Sequence, residues 1–222
     1  MRGGSSVGDG NYPHRILIVA DEGIARDAYR KVATRLSELA DGLKQRHCDV
    51  EIALLRGDAD VVAALRERGH AAHPVGWDAY RHTPRAVRRL VHLLGSGSFD
   101  IVMGREVIPA IISGAAARLS RSPVTSQFVR CHTHGRLALN WTSFVAANVS
   151  HQVLAISEAV ARCSLRLDRI DPRRVRVITQ GRSAMRQPSD LELLKARQQA
   201  GIKGSAPVLV VVARLRNEKG VD

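Results

Sequence analysis

From residue 14 to residue 181, short apolar runs alternate with longer stretches in which apolar residues recur every three or four positions. The runs are "RILIVA" (Arg15 to Ala20), "DVEIALL" (Asp49 to Leu55), "HAAHPVGW", "FDIVMG", "SPVTSQFVRCHTHG", "HQVLAIS" and "RRVRVITQG". Each is too short for a buried helix and most are rich in β-branched residues, so they read as strands, the third a weak one and the fifth running into a loop. Between the first two, Ile24, Ala28, Val32, Leu36, Leu39 and Leu43 fall on one helical face. "DADVVAALRERG" reads as a short helix stopped by Gly69, and "EVIPAIISGAAARLSR" and "EAVARCSLRLDRI" as two more. In "TPRAVRRLVHLLGSG" the expectation is a cap at Thr83, Pro84 at the first helical position and Gly95 just past the end.

About seven strands alternating with helices predict an α/β fold, a doubly wound parallel sheet with helices on both faces. Such sheets hold ligands at the carboxyl ends of their strands. That directs attention to Glu22-Gly23, Gly104-Arg105-Glu106, His132 to Gly135, Ser157-Glu158 and Gly181. After Gly181 the pattern changes. "RSAMRQPSD" reads as a linker and "LELLKARQQAG" as a helix ended by Gly201, and then Val208 to Val212 form a second buried-strand run. The expected organisation is a loose tail at 1–13, a domain at 14–181, a linker and helix at 182–206, and the opening strand and loop of a further Rossmann-like domain at 207–222.

Composition narrows the function classes. No apolar stretch nears the ~20 residues of a membrane span, and the first residues lack a signal peptide's apolar core, so the cytoplasm is the expected location. The formal net charge is +13, carried mainly by arginine, yet only 4% of residues are aromatic. That leaves no stacking platform for single-stranded nucleic acid, and no nucleic-acid partner is expected. Cys48, Cys131 and Cys163 lack metal-site or disulfide spacing and read as structural thiols. His132 and His134 sit two apart, which suits a metal pair or an ordinary polar loop. With no third ligand evident, no metal is expected.

Two clusters of cations carry a choice of readings. Arg214 and Lys219 follow the run 208–212 at a probable helix start, a place that suits a diphosphate, although both could equally be solvated charges. Arg81, Arg85, Arg88, Arg89 and His92 oppose a stripe of Val87, Leu90, Val91 and Leu94. That helix is either a normal amphipathic one with a solvated face or one that docks on anionic lipid. Arg162, Arg166, Arg169, Arg173 and Arg174 would extend the same face.

The segment "VLVVVARLRNEKGVD" resembles the opening of the second domain of family 4 glycosyltransferases, enzymes of the GT-B fold, where a strand leads into G-R-L-x-x-E-K-G. "RILIVA", "FDIVMGREVIPAIISGAAARL", "CHTHG", "HQVLAISEAVARC" and "RRVRVITQG" are similar, in the same order, to first-domain segments of that family. The resemblance implies the GT-B N-terminal, acceptor-side domain and transfer of a sugar from a nucleotide-diphosphate sugar to a hydroxyl acceptor. It further implies retention of anomeric configuration, no metal and no cofactor beyond the donor itself. On the matching positions it implies that Arg214 and Lys219 hold the donor diphosphate and that His132 lies by the transferred sugar. Gly23, Arg105, Glu106, Ser157 and Gly181 would line the donor and acceptor loops. Acceptors in this family are often lipid-linked, which adds peripheral membrane contact to the expectations.

This sequence departs from the family pattern in a first loop with a single glycine, in "ARL" for "GRL" and in "TQGRS" for "pNGvD". The paired glutamates of E-x-x-x-x-x-x-x-E would lie beyond residue 222, so a truncated chain that is inactive alone is expected. Two other classes stay open. A nucleotide-sugar 2-epimerase shares the architecture and would use acidic residues at strand ends, such as Glu106 and Glu158. A basic Rossmann-like module would bind polyanions without catalysis.

Overall fold

The computed structural model describes residues 14–21, 29–57, 59–121, 123–130, 137–167, 169–179, 186–202 and 207–208. The tail at 1–13, the helix start at Ile24 to Ala28, Cys131 and the run 209–222 lie outside these residues. The chain divides into two compact units, 1–182 and 183–222.

In the first unit the strands are β1 (Arg15–Ala20), β2 (Asp49–Leu54), β3 (Ala71–Pro74), β4 (Ile101–Arg105), β5 (Thr125–Arg130), β6 (Gln152–Ala155) and β7 (Val175–Val177). They form one seven-stranded sheet in the order β3-β2-β1-β4-β5-β6-β7, and every pairing is parallel. The helices are α1 (Tyr29–Lys44), α2 (Ala59–Glu67), α3 (Thr83–Gly97), α4 (Val107–Leu119), α5 (Leu137–Val149) and α6 (Glu158–Leu167). The expected doubly wound α/β class is the fold observed.

Alternation along β1 sorts the core into two layers. Leu17 and Val19 join Ala53, Leu90, Leu94 and Ile112 beneath α3 and α4, while Ile16, Ile18 and Ala20 join Ile52, Leu36 and Leu65 beneath α1 and α2. Phe128, Val153 and Val175 continue the first layer beneath α4, α5 and α6. Side chains on successive strand residues point to opposite faces, so a strand buried on both sides must be apolar throughout, as "ILIVA" is.

Helix α4 packs unusually close. A Cβ on Gly104 would lie 2.4 Å from the Ala110 Cα and 2.5 Å from its nitrogen. A Cβ on Gly114 would lie 2.8 Å from a Val149 methyl of α5. The small residues of "IISGAAARL" thus allow α4 to nest between β4 and α5.

Three features differ from the sequence expectations. Thr83 is the first helical residue of α3 and not its cap, which falls on His82 without a side-chain bond; the Thr83 hydroxyl instead accepts the Trp77 indole N–H at 3.0 Å. The helix runs through Gly95 to Gly97, where the Phe99 ring fills the space a Cβ would take, and Ser98 ends it in the left-handed region. Helix α5 was not anticipated, because "LALNWTSFVAANV" is apolar on most sides and offers no polar stripe.

Several arginines serve the backbone. Arg118 donates to Asn148 O at 2.8 Å and Val149 O at 3.1 Å, and Arg174 donates to the carbonyls of Ala147, Ser150 and His151. Both therefore cap the carboxyl end of α5. Arg15 donates to the Gly97 carbonyl at the end of α3 and pairs with Asp49 and Glu51. In consequence Arg174 is engaged inside the fold and does not extend a basic surface.

In the second unit, α7 (Asp190–Gln199) begins with a capping box. Ser189 Oγ accepts the Glu192 N–H and the Glu192 carboxylate accepts the Ser189 N–H at 2.8 Å. Gly201 follows at φ +68, consistent with the expected stop. The expected strand at 208–212 and its loop are outside the described residues apart from Val208.

Two stability outcomes follow from this packing. Gly104→Ala is expected to cost about 1–3 kcal/mol, because the added methyl meets backbone atoms that cannot turn aside. Denaturant unfolding measures it, and a loss near zero would show that α4 can move away. His70 is buried, with Nε2 lacking a hydrogen bond, and burial holds its pKa below the usual 6.5. The unfolded chain therefore binds the proton first, so stability is full above about pH 6.5 and declines as pH falls through that unfolded value. His70→Gln should shrink the drop in melting temperature between pH 7.5 and 5, and an unchanged drop would contradict the assignment.

Candidate substrate site at the carboxyl edge of the sheet

The strand order reverses between β1 and β4: the chain leaves β1 towards β2 and β3, then crosses back to β4 and continues to β7. Loops diverge at this switch point and leave a crevice at the carboxyl ends of the strands. Along that edge the described residues place Asp21 after β1, Arg56 after β2, Arg105 and Glu106 at the end of β4, Arg130 at the end of β5, and Ser157 after β6.

Glu106 is held in an uncommon conformation. Its φ is 68° and ψ 178°, a region that glycine occupies readily and other residues enter at a cost of about 1–3 kcal/mol. The cause lies on either side. The Glu106 N–H donates to Val129 O at 2.9 Å, which extends the β4–β5 ladder, and its carbonyl accepts the Ala110 N–H at 3.1 Å, which starts α4. The chain must turn from strand to helix within one residue, and the Gly104–Ala110 contact allows no slack. Glu106 makes no side-chain cap, and the amino end of α4 favours negative charge beside it.

Register pairs Arg105 with Val129 and so sets Glu106 level with Arg130. Arg130 is completely buried; Nη1 donates to Ser164 Oγ at 3.0 Å, and Nη2 lies 4.0 Å from Cys163 Sγ. Burial pushes its pKa down, while neighbouring Cys163 and the Glu106 carboxylate oppose that shift. The cation thus underlies the edge from within. Ser157 caps α6, its hydroxyl accepting the Val160 N–H at 3.3 Å, and Glu158 begins the helix.

A second group sits on the other side of the switch point. Asp21 pairs side-on with Arg56, whose Nε lies 3.0 Å from Oδ1 and whose Nη2 donates to Oδ2 at 3.1 Å. Oδ1 is buried and receives no well-angled hydrogen bond. Burial raises the Asp21 pKa more than the Arg56 charge lowers it. The Arg56 guanidinium also lies over the Trp77 ring, 5.1 Å from its centroid.

Of the residues expected from sequence, the structure brings Arg105 and Glu106 together at the β4 end and sets Ser157 two strands away. His132, His134, Gly23, Gly181, Arg214 and Lys219 lie outside the described residues. Sequence reasoning missed Asp21, Arg56 and Arg130. The signal for Asp21 and Arg56 was their place directly after strands β1 and β2; for Arg130 it was a charge at an inward position of "SQFVR", in phase with Ser126 and Phe128. Among the described residues no cluster of His, Cys, Asp and Glu could hold a metal, and no helix is long and apolar enough to cross a membrane.

The turn yields a test. Glu106→Gly should raise stability by about 1 kcal/mol, a few degrees in melting temperature for a chain of this size, while Glu106→Ala should not. A glycine variant no more stable than the alanine variant would show that the turn is unstrained.

The profile of the family described as Glycosyltransferase Family 4 matches residues 32–183. No curated protein sequence matches the chain significantly. Among solved structures, a glycosyltransferase from Rickettsia africae superposes with a TM-score of 0.64 at 16% identity, over 88% of this chain and 51% of its own. HepE of Anabaena in complex with UDP and glucose superposes at 0.58 and 14% identity, covering 85% and 50%. The UDP-N-acetylglucosamine 2-epimerase of Rickettsia bellii superposes at 0.54 and 12%, covering 87% and 49%. At these identities the likeness is one of fold. The chain spans about half the length of these structures.

Proposed function

The chain belongs to glycosyltransferase family 4, and we propose that residues 14–181 are the acceptor-side domain of an enzyme that moves a sugar from a nucleotide-diphosphate sugar to a hydroxyl acceptor. The observation that carries this reading is the polar carboxyl edge at the β1–β4 switch point, with Glu106 held at positive φ inside it. A strained turn persists where its surroundings over-determine it, and such turns cluster at ligand sites.

In this reading the first unit binds and orients the acceptor, with Arg105 and Glu106 as hydrogen-bonding groups beside it. His132 lies by the transferred sugar. Arg214 and Lys219 hold the donor diphosphate and neutralise the charge that develops on the leaving nucleoside diphosphate. Those two cations supply what a metal would otherwise supply, so transfer proceeds without one, and the anomeric configuration is retained. The UDP complex of HepE supports a nucleotide-sugar donor.

The outer face of α3 supports a membrane-near acceptor. Arg85, Arg88 and His92 are exposed there, and the helix contains no acidic residue. That face suits anionic headgroups. Arg89 is set apart, since it donates to the Val75 carbonyl. One alternative has support of its own: epimerases share the fold, and Glu106 and Glu158 are carboxylates at strand ends.

The test is a transfer assay with UDP-, GDP- and ADP-sugars and hydroxyl acceptors, using the chain alone and together with a polypeptide that supplies a donor-side domain. With the second polypeptide present, transfer is expected with a retained anomeric proton signal and indifference to a chelator. His132→Ala should lower the rate about 10²-fold or more. No transfer in either form, inversion, or chelator sensitivity would each contradict the reading. Interconversion of UDP-N-acetylglucosamine and its 2-epimer without an acceptor would replace it with the epimerase.

A further inference from the structure

We propose that Arg56, clamped by Asp21 and stacked on Trp77, forms an oxyanion site for the acceptor, which therefore carries a phosphate or carboxylate group. The proposal rests on the acceptor-side reading of this unit.

The argument begins with the donors of a guanidinium. It has five N–H groups in a planar fork, and Asp21 faces only the Nε–Nη2 edge. The Nη1–Nη2 end is left, and among the described residues Nη1 has no partner. Two parallel N–H groups at that end match the two oxygens of a carboxylate or phosphate. The side chain is 45% exposed, against 10% for Asp21, so the pair has a buried anchor and an open end.

Preorganisation favours binding over a loose surface cation. A free arginine gives up about 2 kcal/mol of rotamer entropy when it is fixed. Here the ion pair and the stack already fix it. The platform is firm in turn: Trp77 is buried, its N–H donates to Leu55 O at 2.7 Å, and its indole N–H donates to Thr83.

Position completes the case. The last paired residues of β1 and β2 are Ala20 and Leu54, and the Leu55 N–H donates to Ala20 O at 2.9 Å. The two strand ends are thus already joined by the backbone, and the Asp21–Arg56 pair is not needed to join them. It lies just beyond, on the β1 side of the switch point, where an acceptor in this unit would sit.

Trp77 also supplies the readout. The chain has two tryptophans, so Trp141→Phe leaves Trp77 as the only one, directly beneath Arg56. In that background, Trp77 fluorescence is followed during titration with glucose, glucose 6-phosphate, glucuronate and inorganic phosphate. Glucose 6-phosphate or glucuronate should bind about tenfold or more tightly than glucose, as a charge-assisted bidentate contact implies. Arg56→Gln should erase that preference, Arg56→Lys should restore only part of it, and Arg85→Gln/Arg88→Gln should leave it intact.

Arg56→Gln alone leaves a buried carboxylate without its partner and could unfold the chain. The double variant Asp21→Asn/Arg56→Gln removes both charges, and it should melt cooperatively and also lack the preference. Equal affinity for all three sugars, a preference that survives loss of Arg56, or one that depends on α3 would overturn the site. Inorganic phosphate binding as tightly as glucose 6-phosphate would reduce it to a bare anion site and overturn its assignment to the acceptor. A failed transfer assay with anion preference intact would refute the acceptor-side reading and spare the anion site; the reverse result would do the opposite.

Discussion

The contact between Gly104 and Ala110 governs the geometry of the carboxyl edge. With no Cβ on Gly104, the α4 backbone descends onto β4, and the small residues of α4 let it reach α5 as well. Close packing of this kind leaves no room for a gradual turn, so Glu106 must reverse the chain by itself at positive φ. The same descent aims the start of α4 at the crevice. A tight helix contact in the core thus determines both the strain and the electrostatic field at the candidate site.

The arginines show why net charge is a poor guide to partners. The sequence suggests a protein coated in positive charge, with a formal excess of +13. Arg118 and Arg174 in fact cap α5, Arg89 and Arg15 bond backbone carbonyls, and Arg130 lies wholly inside. Among the described residues, the arginines left facing candidate ligand surfaces include Arg56 and Arg105 at the edge and Arg85 and Arg88 on α3. Carbonyls at helix ends carry partial negative charge, and a long planar cation satisfies several at once.

The central strands were legible because strands buried on both faces must be apolar runs, as the buried stretches of β1 and β2 are. The parallel class follows from their alternation with helices, while the edge strands β3 and β7 are only partly buried and give a weaker signal. Helix α5 was not legible, since amphipathicity is the helical signal and α5 is apolar on most sides. The α3 cap differs in another way: Thr83 has the right chemistry, but it is the first helical residue, and its hydroxyl accepts the Trp77 indole N–H. At the site, Arg105 and Glu106 could be found by strand ends alone, whereas the Asp21–Arg56–Trp77 group joins residues 35 and 21 positions apart that only the sheet brings together. The φ of Glu106 leaves no trace in sequence, because an ordinary glutamate occupies a glycine-like position.

The central claim is that ligands of this unit are held at the carboxyl edge, around the β1–β4 switch point. Amide chemical-shift mapping on the isotopically labelled chain tests it most directly, with titration by glucose 6-phosphate. The account predicts that the largest shifts cluster at residues 20–21, 55–57, 104–107 and 156–158, four segments on four different strands. Shifts concentrated at the opposite edge, at 14–15, 49, 100, 125 and 151–152, would contradict it.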